Sequence, residues 1–290
     1  GMGGSLEGHA RWLSGLELWL KDHDRVIAQH NRRLDDLERA RSVGVFMNWI
    51  EHARLTTSPK VSVILPTHNR AALLAKAIAS VKAQSYSNWE IIVVDDASQD
   101  GTPEFLGTLD DSRIVVLRTI RGSACGSRNV GLDHVTGEIT AYLDDDNIMH
   151  PLWLKAIVWG LEQRPDVDVV YGAHVVDDSK RINRESSGGL PEMYLEPYDR
   201  ATLLIRNLSD MSAIAHRAGL PAARFDESLV EMGDWDLLCG LTADRDALMI
   251  PAIACFYSTD APDRLSGGNT FQDDYDKVRR KHARNTGIKP

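Results

Sequence analysis

Ala141-Tyr142-Leu143-Asp144-Asp145-Asp146-Asn147 sets three carboxylates at the end of an apolar run that begins at Ile139. A short apolar run bounded by Gly137 and a polar cluster reads as a buried strand. Carboxylates at the C-terminal end of such a strand open into the crevice where α/β sheets bind ligands. With a side-chain period of two, Asp144 and Asp146 point the same way. Together they can hold a divalent cation, Mg²⁺ or Mn²⁺, against a diphosphate. Taken alone, the same cluster reads equally well as a solvated turn.

Outward from this strand the chain alternates strand and helix. Val61–Leu65, Glu90–Val94, Arg113–Leu117 and Val167–Tyr171 are further apolar strands. Helices are expected over Ala71–Ala83, Thr102–Thr108, Ser127–Val135 and Pro151–Leu161. This repetition, with apolar strands, predicts a mainly parallel sheet covered by helices on both faces. Beyond Gly172 the pattern loosens. Ser186–Tyr198 reads as a connection and Gln272–Arg284 as a polar helix.

Composition narrows the function. The 290 residues carry a net charge of −9, which argues against a nucleic-acid surface. Cys125, Cys239 and Cys255 are few and widely spaced, as suits a reducing compartment, and offer no zinc spacing. No apolar stretch reaches the roughly 18 residues that span a bilayer, and there is no signal-peptide core. The expectation is a cytoplasmic protein without a transmembrane segment.

The first 58 residues stand apart. Apolar residues from Trp12 to Ala40 recur at three-to-four spacing, giving an amphipathic helix expected to break near Gly44. It packs on its own domain, forms a homodimer, or lies on a membrane surface. The last suits it least, because its polar face has no basic excess. Residues 59–270 then form the α/β domain and 271–290 a polar tail.

Three loops follow strand ends and converge on one edge of a parallel sheet. They are Pro66-Thr67-His68-Asn69-Arg70, Asp95-Asp96-Ala97-Ser98-Gln99-Asp100-Gly101, and the Asp144 cluster. A buried carboxylate of the Asp95-Asp96 pair can accept the N3–H of a uracil or thymine base; as a bare motif the pair also reads as a helix cap. Arg128, in Gly126-Ser127-Arg128-Asn129, serves either an anion or a surface carboxylate. Neither a Gly-x-Gly-x-x-Gly nor a P-loop signature occurs. Asp234, in Gly233-Asp234-Trp235-Asp236, is a helix cap or a shielded general base.

These five elements in this order resemble family 2 glycosyltransferases of GT-A fold. The resemblance covers residues 60 to 270. It implies transfer of a sugar from a nucleoside diphosphate sugar, most commonly a UDP-sugar, to an acceptor hydroxyl in cell-surface polysaccharide synthesis. A non-catalytic nucleotide-binding scaffold and a sugar nucleotidyltransferase are the alternatives. By resemblance, Pro66 to Arg70, Asp95 and Asp96 line the nucleoside pocket. Arg128, Asp144, Asp145 and Arg264 face the donor. Asp146, with Asp144, takes Mg²⁺ or Mn²⁺, and Asp234 is the base of an inverting enzyme at the inner face of the membrane. Three departures stand out. Gly233 replaces the usual Glu, Asn147 replaces a common Asp, and Tyr257–Ser266 lacks a metal-binding His.

Overall fold

The computed structural model describes residues 3–177, 192–259 and 270–283; the side chains of residues 3–18 and 32 lie outside that description. The first element, α1, is one helix from Gly3 to His52, so the expected break at Gly44 does not occur. A single glycine costs a helix only about 1 kcal/mol relative to alanine, too little to end one of this length. Residues to Gly44 form one compact unit and Val45–Pro290 a second. Within the second, Ile50 is fully buried in the core. Phe46 and Trp49 meet Trp159 edge-on, with ring centroids 5.2 and 5.1 Å apart. The core therefore takes in the end of the segment that the sequence sets apart.

The chain then runs β1 (Val61–Thr67), α2 (Ala71–Lys82), β2 (Trp89–Asp96), α3 (Thr102–Gly107), β3 (Ile114–Thr119), α4 (Ala124–Leu132) and β4 (Ile139–Tyr142). It continues through β5 (Ile148–Met149), α5 (Trp153–Gln163), β6 (Val169–Asp177), β7 (Met193–Tyr194) and α6 (Arg200–Leu203). Last come β8 (Ile214–Arg217), α7 (Gly233–Leu241), β9 (Leu248–Ser258) and α8 (Phe271–Ala283). Among the described residues one sheet forms, in the order β3-β2-β1-β4-β8-β6-β9-β5, with β7 on β6. Strands β3, β2, β1 and β4 are parallel, while β8 runs antiparallel to both β4 and β6.

Alternation along β1 explains the two-sided burial. Val61, Val63 and Leu65 join one core with residues of α2 and α5. Ile64 points into a second core with Tyr142 and residues of α7. On that face α4 lies so close that a Cβ at Gly131 would stand 2.6 Å from Ile64 Cγ2. Only glycine permits that approach.

Apart from the two-residue β5, the strands missed in the sequence lie beyond Gly172. In β9, Pro251 has no N–H and falls where the pairing with β6 slips, between Tyr171↔Met249 and Ala173↔Ile253. A proline inside an apolar run argues against a central strand, and the irregular register is what accommodates it. The β8 strand is only four residues long and carries His216 and Arg217. His216 is buried because its ring is satisfied: Nδ1–H donates to Arg217 O (2.7 Å) and Nε2 accepts from Tyr142 OH (2.8 Å). The chain after residue 270 is not a free tail within the described residues. His282 Nε2 meets Asp236 at 2.8 Å, and Asp274 accepts Val230 N and Glu231 N at 2.7 and 2.8 Å.

Candidate active site

The loops after β1 and β2 are zipped together. His68 Nδ1–H donates to Asp96 O (2.6 Å), Ser98 Oγ accepts from Asn69 N (2.8 Å), and Asn69 Oδ1 accepts from Gln99 N (2.6 Å). Asn69 and Ala97 both sit at positive φ, 54° and 58°. Ala97 has no side chain that favours this region, so the loop pairing holds it there. Asp100 closes the zip by accepting from Thr102 N at the start of α3 (2.9 Å) and from Ala71 N of α2 (3.3 Å).

These loops, the α4 N-terminus, the Asp144 cluster and the start of α7 enclose a cavity of about 610 Å³. Pro66, Thr67, His68, Asn69, Arg70, Asp96, Arg128, Asp144, Asp145, Asp146 and Asp234 all line it. Of the residues expected there, Asp95 is not in the wall. Its carboxylate is held by Arg118 Nη1 (2.8 Å) and Ser98 N (2.9 Å), so it braces the loop instead. Arg264 lies outside the described residues, as do residues 186–191 of the expected acceptor connection.

The three adjacent carboxylates have different surroundings. Asp145 is buried, accepting from Thr67 Oγ1 (2.7 Å) and Arg70 Nη1 (2.9 Å). Burial pushes its pKa up against those bonds. Asp146 lies 3.2 Å from the same arginine nitrogen, and Asp144 pairs with Arg128 Nη2. Asn147, the departure from a further Asp, bridges two elements: its Nδ2 donates to Ser212 Oγ (2.9 Å) and its Oδ1 accepts from Ser258 N (3.1 Å). An amide supplies the donor that an ionised carboxylate lacks.

Helix α4 begins three residues earlier than its sequence suggests, because Ser123 caps it by accepting Gly126 N (3.0 Å). That start places Ser127 and Arg128 in its first turns, at the cavity wall. Ser127 Oγ, Arg128 Nε and Asp96 Oδ1 are all buried without a hydrogen-bond partner. Buried polar atoms are rarely left orphaned, and three around one cavity point to a polar ligand.

Asp234 occupies the first turn of α7. Its Oδ2 accepts from Asn207 Nδ2 (2.8 Å) and its Oδ1 from Trp235 N (2.7 Å). Burial, with the nearby Asp144 charge adding to it, pushes the Asp234 pKa up to about 6. Asp210, which the sequence reading missed, also faces the cavity and caps the next turn through Ser212 N (2.9 Å). Burial and the charges of Asp144 and Asp234 raise its pKa as well. As a lone Asp before an apolar run it reads in sequence only as a cap. Asn207, in a polar loop, carries no signal in sequence.

Gly233, where the resemblance expects a Glu, is explained by packing. A Cβ there would meet Cys125 Sγ at 2.5 Å, so the thiol occupies the space a side chain would need. Gly233→Ala is expected to cost about 1–3 kcal/mol through overpacking. Adding Cys125→Ala should recover most of the lost melting temperature in calorimetry. No recovery would contradict the steric account.

Metal fit follows from the donor set. Among the described residues no three ligating side chains form a ready cage, and Arg70 and Arg128 already offset two of the three carboxylates. Carboxylate oxygens beside a cavity suit Mg²⁺ or Mn²⁺ when a diphosphate and water complete the shell. Asp146 and Asp144 fit such a cation on those terms.

The family model for glycosyl transferase family 2 matches residues 62–225, more than half of the chain. The chain belongs to glycosyltransferase family 2. A Campylobacter jejuni relative, a GalNAc(5)-diNAcBac-PP-undecaprenol beta-1,3-glucosyltransferase, is 32% identical over 58% of this chain and 55% of its own. The Escherichia coli UDP-Glc:alpha-D-GlcNAc-diphosphoundecaprenol beta-1,3-glucosyltransferase WfgD is 39% identical over 42% of this chain and 48% of its own. The chain thus spans about half the length of these two relatives. Among solved structures, S. aureus TarS in complex with UDP-GlcNAc superposes with a TM-score of 0.63 over 78% of this chain and 66% of TarS, at 19% identity. The mannosyltransferase PcManGT of Pyrobaculum calidifontis, solved with GDP-Man and Mn²⁺, gives 0.56 over 88% of this chain and 72% of its own, at 20% identity. The fold is therefore the GT-A fold that the family resemblance implies. Among the described residues no helix is long and apolar enough to cross a membrane.

Proposed function

We propose that this family 2 chain transfers a hexose from a UDP-sugar to a hydroxyl of a saccharide carried on a polyprenyl diphosphate, with inversion. The observation that carries this reading is the meeting, in one cavity, of a shielded carboxylate and a cluster suited to a diphosphate. Asp234 is the first, and Asp144, Asp146 and Arg128 are the second. The acceptor class rests on the undecaprenyl-linked substrates in the relatives' names. Inversion has support from the same names: a UDP-glucose donor is α-linked, whereas the named products are β. A membrane-borne acceptor of this class supports a peripheral site of action at the inner face of a membrane. We assign the catalytic domain to Val45–Pro290, the unit that includes α8.

The uracil ring fits beside Asp96, whose orphaned Oδ1 accepts N3–H while Oδ2 stays on Ser123 N (3.1 Å). Arg128 and Ser127 offer unspent donors to the diphosphate. Asp146 and Asp144 would hold a divalent cation, which supplies charge neutralisation to the departing diphosphate. Asp234 takes the acceptor O–H proton as that oxygen bonds to the anomeric carbon. The bond from that carbon to the diphosphate oxygen breaks, its electron pair leaving with UDP. Asn207 and Trp235 N hold the carboxylate in a fixed orientation while burial keeps it basic.

Two results test parts of this account. Asp96→Ala should weaken UDP binding in calorimetry by about tenfold or more, the worth of a hydrogen bond to a charged group. Unchanged affinity removes Asp96 from base recognition. Asn207→Ala strips a bond that favours the ionised form of Asp234, so the acidic limb of kcat/KM should move upward by on the order of one pH unit. An unmoved limb denies Asn207 that role. For the whole reading, UDP-glucose and a GlcNAc-diphosphopolyprenol acceptor should yield a β-linked disaccharide by NMR. An α-linked product contradicts inversion.

A further inference from the structure

Helix α1 carries a heptad repeat that the transferase site does not use. Stepping alternately by three and four residues from Leu13 gives Leu13, Leu16, Leu20, His23, Ile27, His30, Leu34 and Leu37, with Arg41 and Gly44 closing the series. Counted as a and d positions, Leu13 to Leu37 sustain about three and a half heptads, flanked by three acidic e positions and one basic g position. The apolar members with described side chains face solvent: Leu20, Ile27, Leu34 and Leu37 are 48%, 55%, 57% and 45% exposed. Among the described residues, the intrahelical ion pairs Arg25–Asp22 and Arg39–Asp36 fall on c and f positions, away from the seam. They leave the apolar seam uncovered.

We infer that α1 pairs through this seam with α1 of a second copy of the chain, as a parallel, in-register coiled coil. Charge complementarity selects both partner and direction. The e positions are Glu17, Asp24, Asn31 and Glu38, and Arg33 is at g. In a parallel pair each Arg33 (g) faces Glu38 (e) of the second copy, giving two ion pairs across the seam. Among the described residues neither side chain has an ion-pair partner within its own chain. An antiparallel pair sets the acidic e flank against itself. His23 and His30 form two polar layers in the seam, a device that fixes register at a cost in stability. Each ring donates Nδ1–H to the carbonyl four residues back, at 3.1 and 3.0 Å, and so lies along its own helix.

Sedimentation velocity of the full chain at tens of micromolar tests this. The wild type should run at twice the chain mass, and Ile27→Glu/Leu34→Glu at the single mass. Arg33→Glu alone should loosen the dimer by an order of magnitude or more in Kd, and Arg33→Glu/Glu38→Arg should restore it. Leu37→Cys should oxidise to a covalent dimer, since a parallel register sets the d positions face to face. The native cysteines are buried and do not compete. A wild type of single mass overturns the inference, including one that cosediments with anionic phosphatidylglycerol vesicles and so assigns the seam to lipid. Dimers indifferent to the seam substitutions, or unrestored by the charge exchange, overturn it equally.

Discussion

Asp234→Asn lowers kcat by about 10²–10⁴-fold while leaving UDP affinity within a factor of a few. That range is what a positioned general base contributes. Asparagine keeps the shape of the side chain: its oxygen accepts from Trp235 N, and Asn207 can turn its amide to accept from the new NH2, so the loss belongs to the proton acceptor and not to the wall of the cavity. The pH dependence follows with a definite sign. Burial raises the Asp234 pKa to about 6, and the base works only when ionised. In the wild type kcat/KM should therefore fall as pH drops through about 6, and Asp234→Asn should lose that limb along with its rate. Stability moves with it: a carboxylate whose folded pKa exceeds its unfolded value favours folding when protonated and opposes it when ionised. Asp234→Asn should thus raise the melting temperature at pH 8 more than at pH 5. Full turnover in the variant, or an unmoved acidic limb, removes Asp234 from the chemistry.

Asp146→Ala abolishes metal-dependent nucleotide binding. Asp146 sits 3.2 Å from Arg70, and its neighbour Asp144 pairs with Arg128, so without nucleotide two arginines already offset two of the cluster's three carboxylates. A cation gains a place only with the two negative charges of a diphosphate beside it. Binding of Mn²⁺ alone should be weak, and Mn²⁺ with UDP should be cooperative. Truncating Asp146 removes the oxygen ligand proposed for the cation and leaves Arg70 to Asp145. Calorimetry should then show the same weak UDP affinity with and without Mn²⁺, a loss of about tenfold or more from the metal-assisted value. Retained enhancement by Mn²⁺ assigns the cation to other oxygens.

What the sequence made legible is the half of the molecule that repeats. Strands β1, β2 and β4 are fully buried apolar runs ending in polar loops, so period, boundary and ligand edge can be read together. By the same logic their loops converge on one sheet edge, and Arg70, Asp96, Asp144 and Asp146 from those loops line one cavity. Beyond Gly172 the governing interactions are long-range. Strand β9 hides behind Pro251, whose tolerance depends on a register slip against β6 that no local pattern records. Asp210 and Asn207 enter the site because β8 runs antiparallel into the sheet and carries its preceding loop to Asp144 and Asp234. Gly233 looked like a missing acid; only the nearby Cys125 thiol explains it. Asp95 looked identical to Asp96 in sequence, and the pleat of β2 divides them, one to Arg118 and one to the cavity.

The most direct test is calorimetric titration of UDP, GDP and dTDP into the full chain with and without Mn²⁺. The account predicts that UDP binds and that Mn²⁺ tightens it by tenfold or more. If none of the three nucleotides binds under either condition, the cavity is not a nucleotide-sugar site and the central claim is wrong.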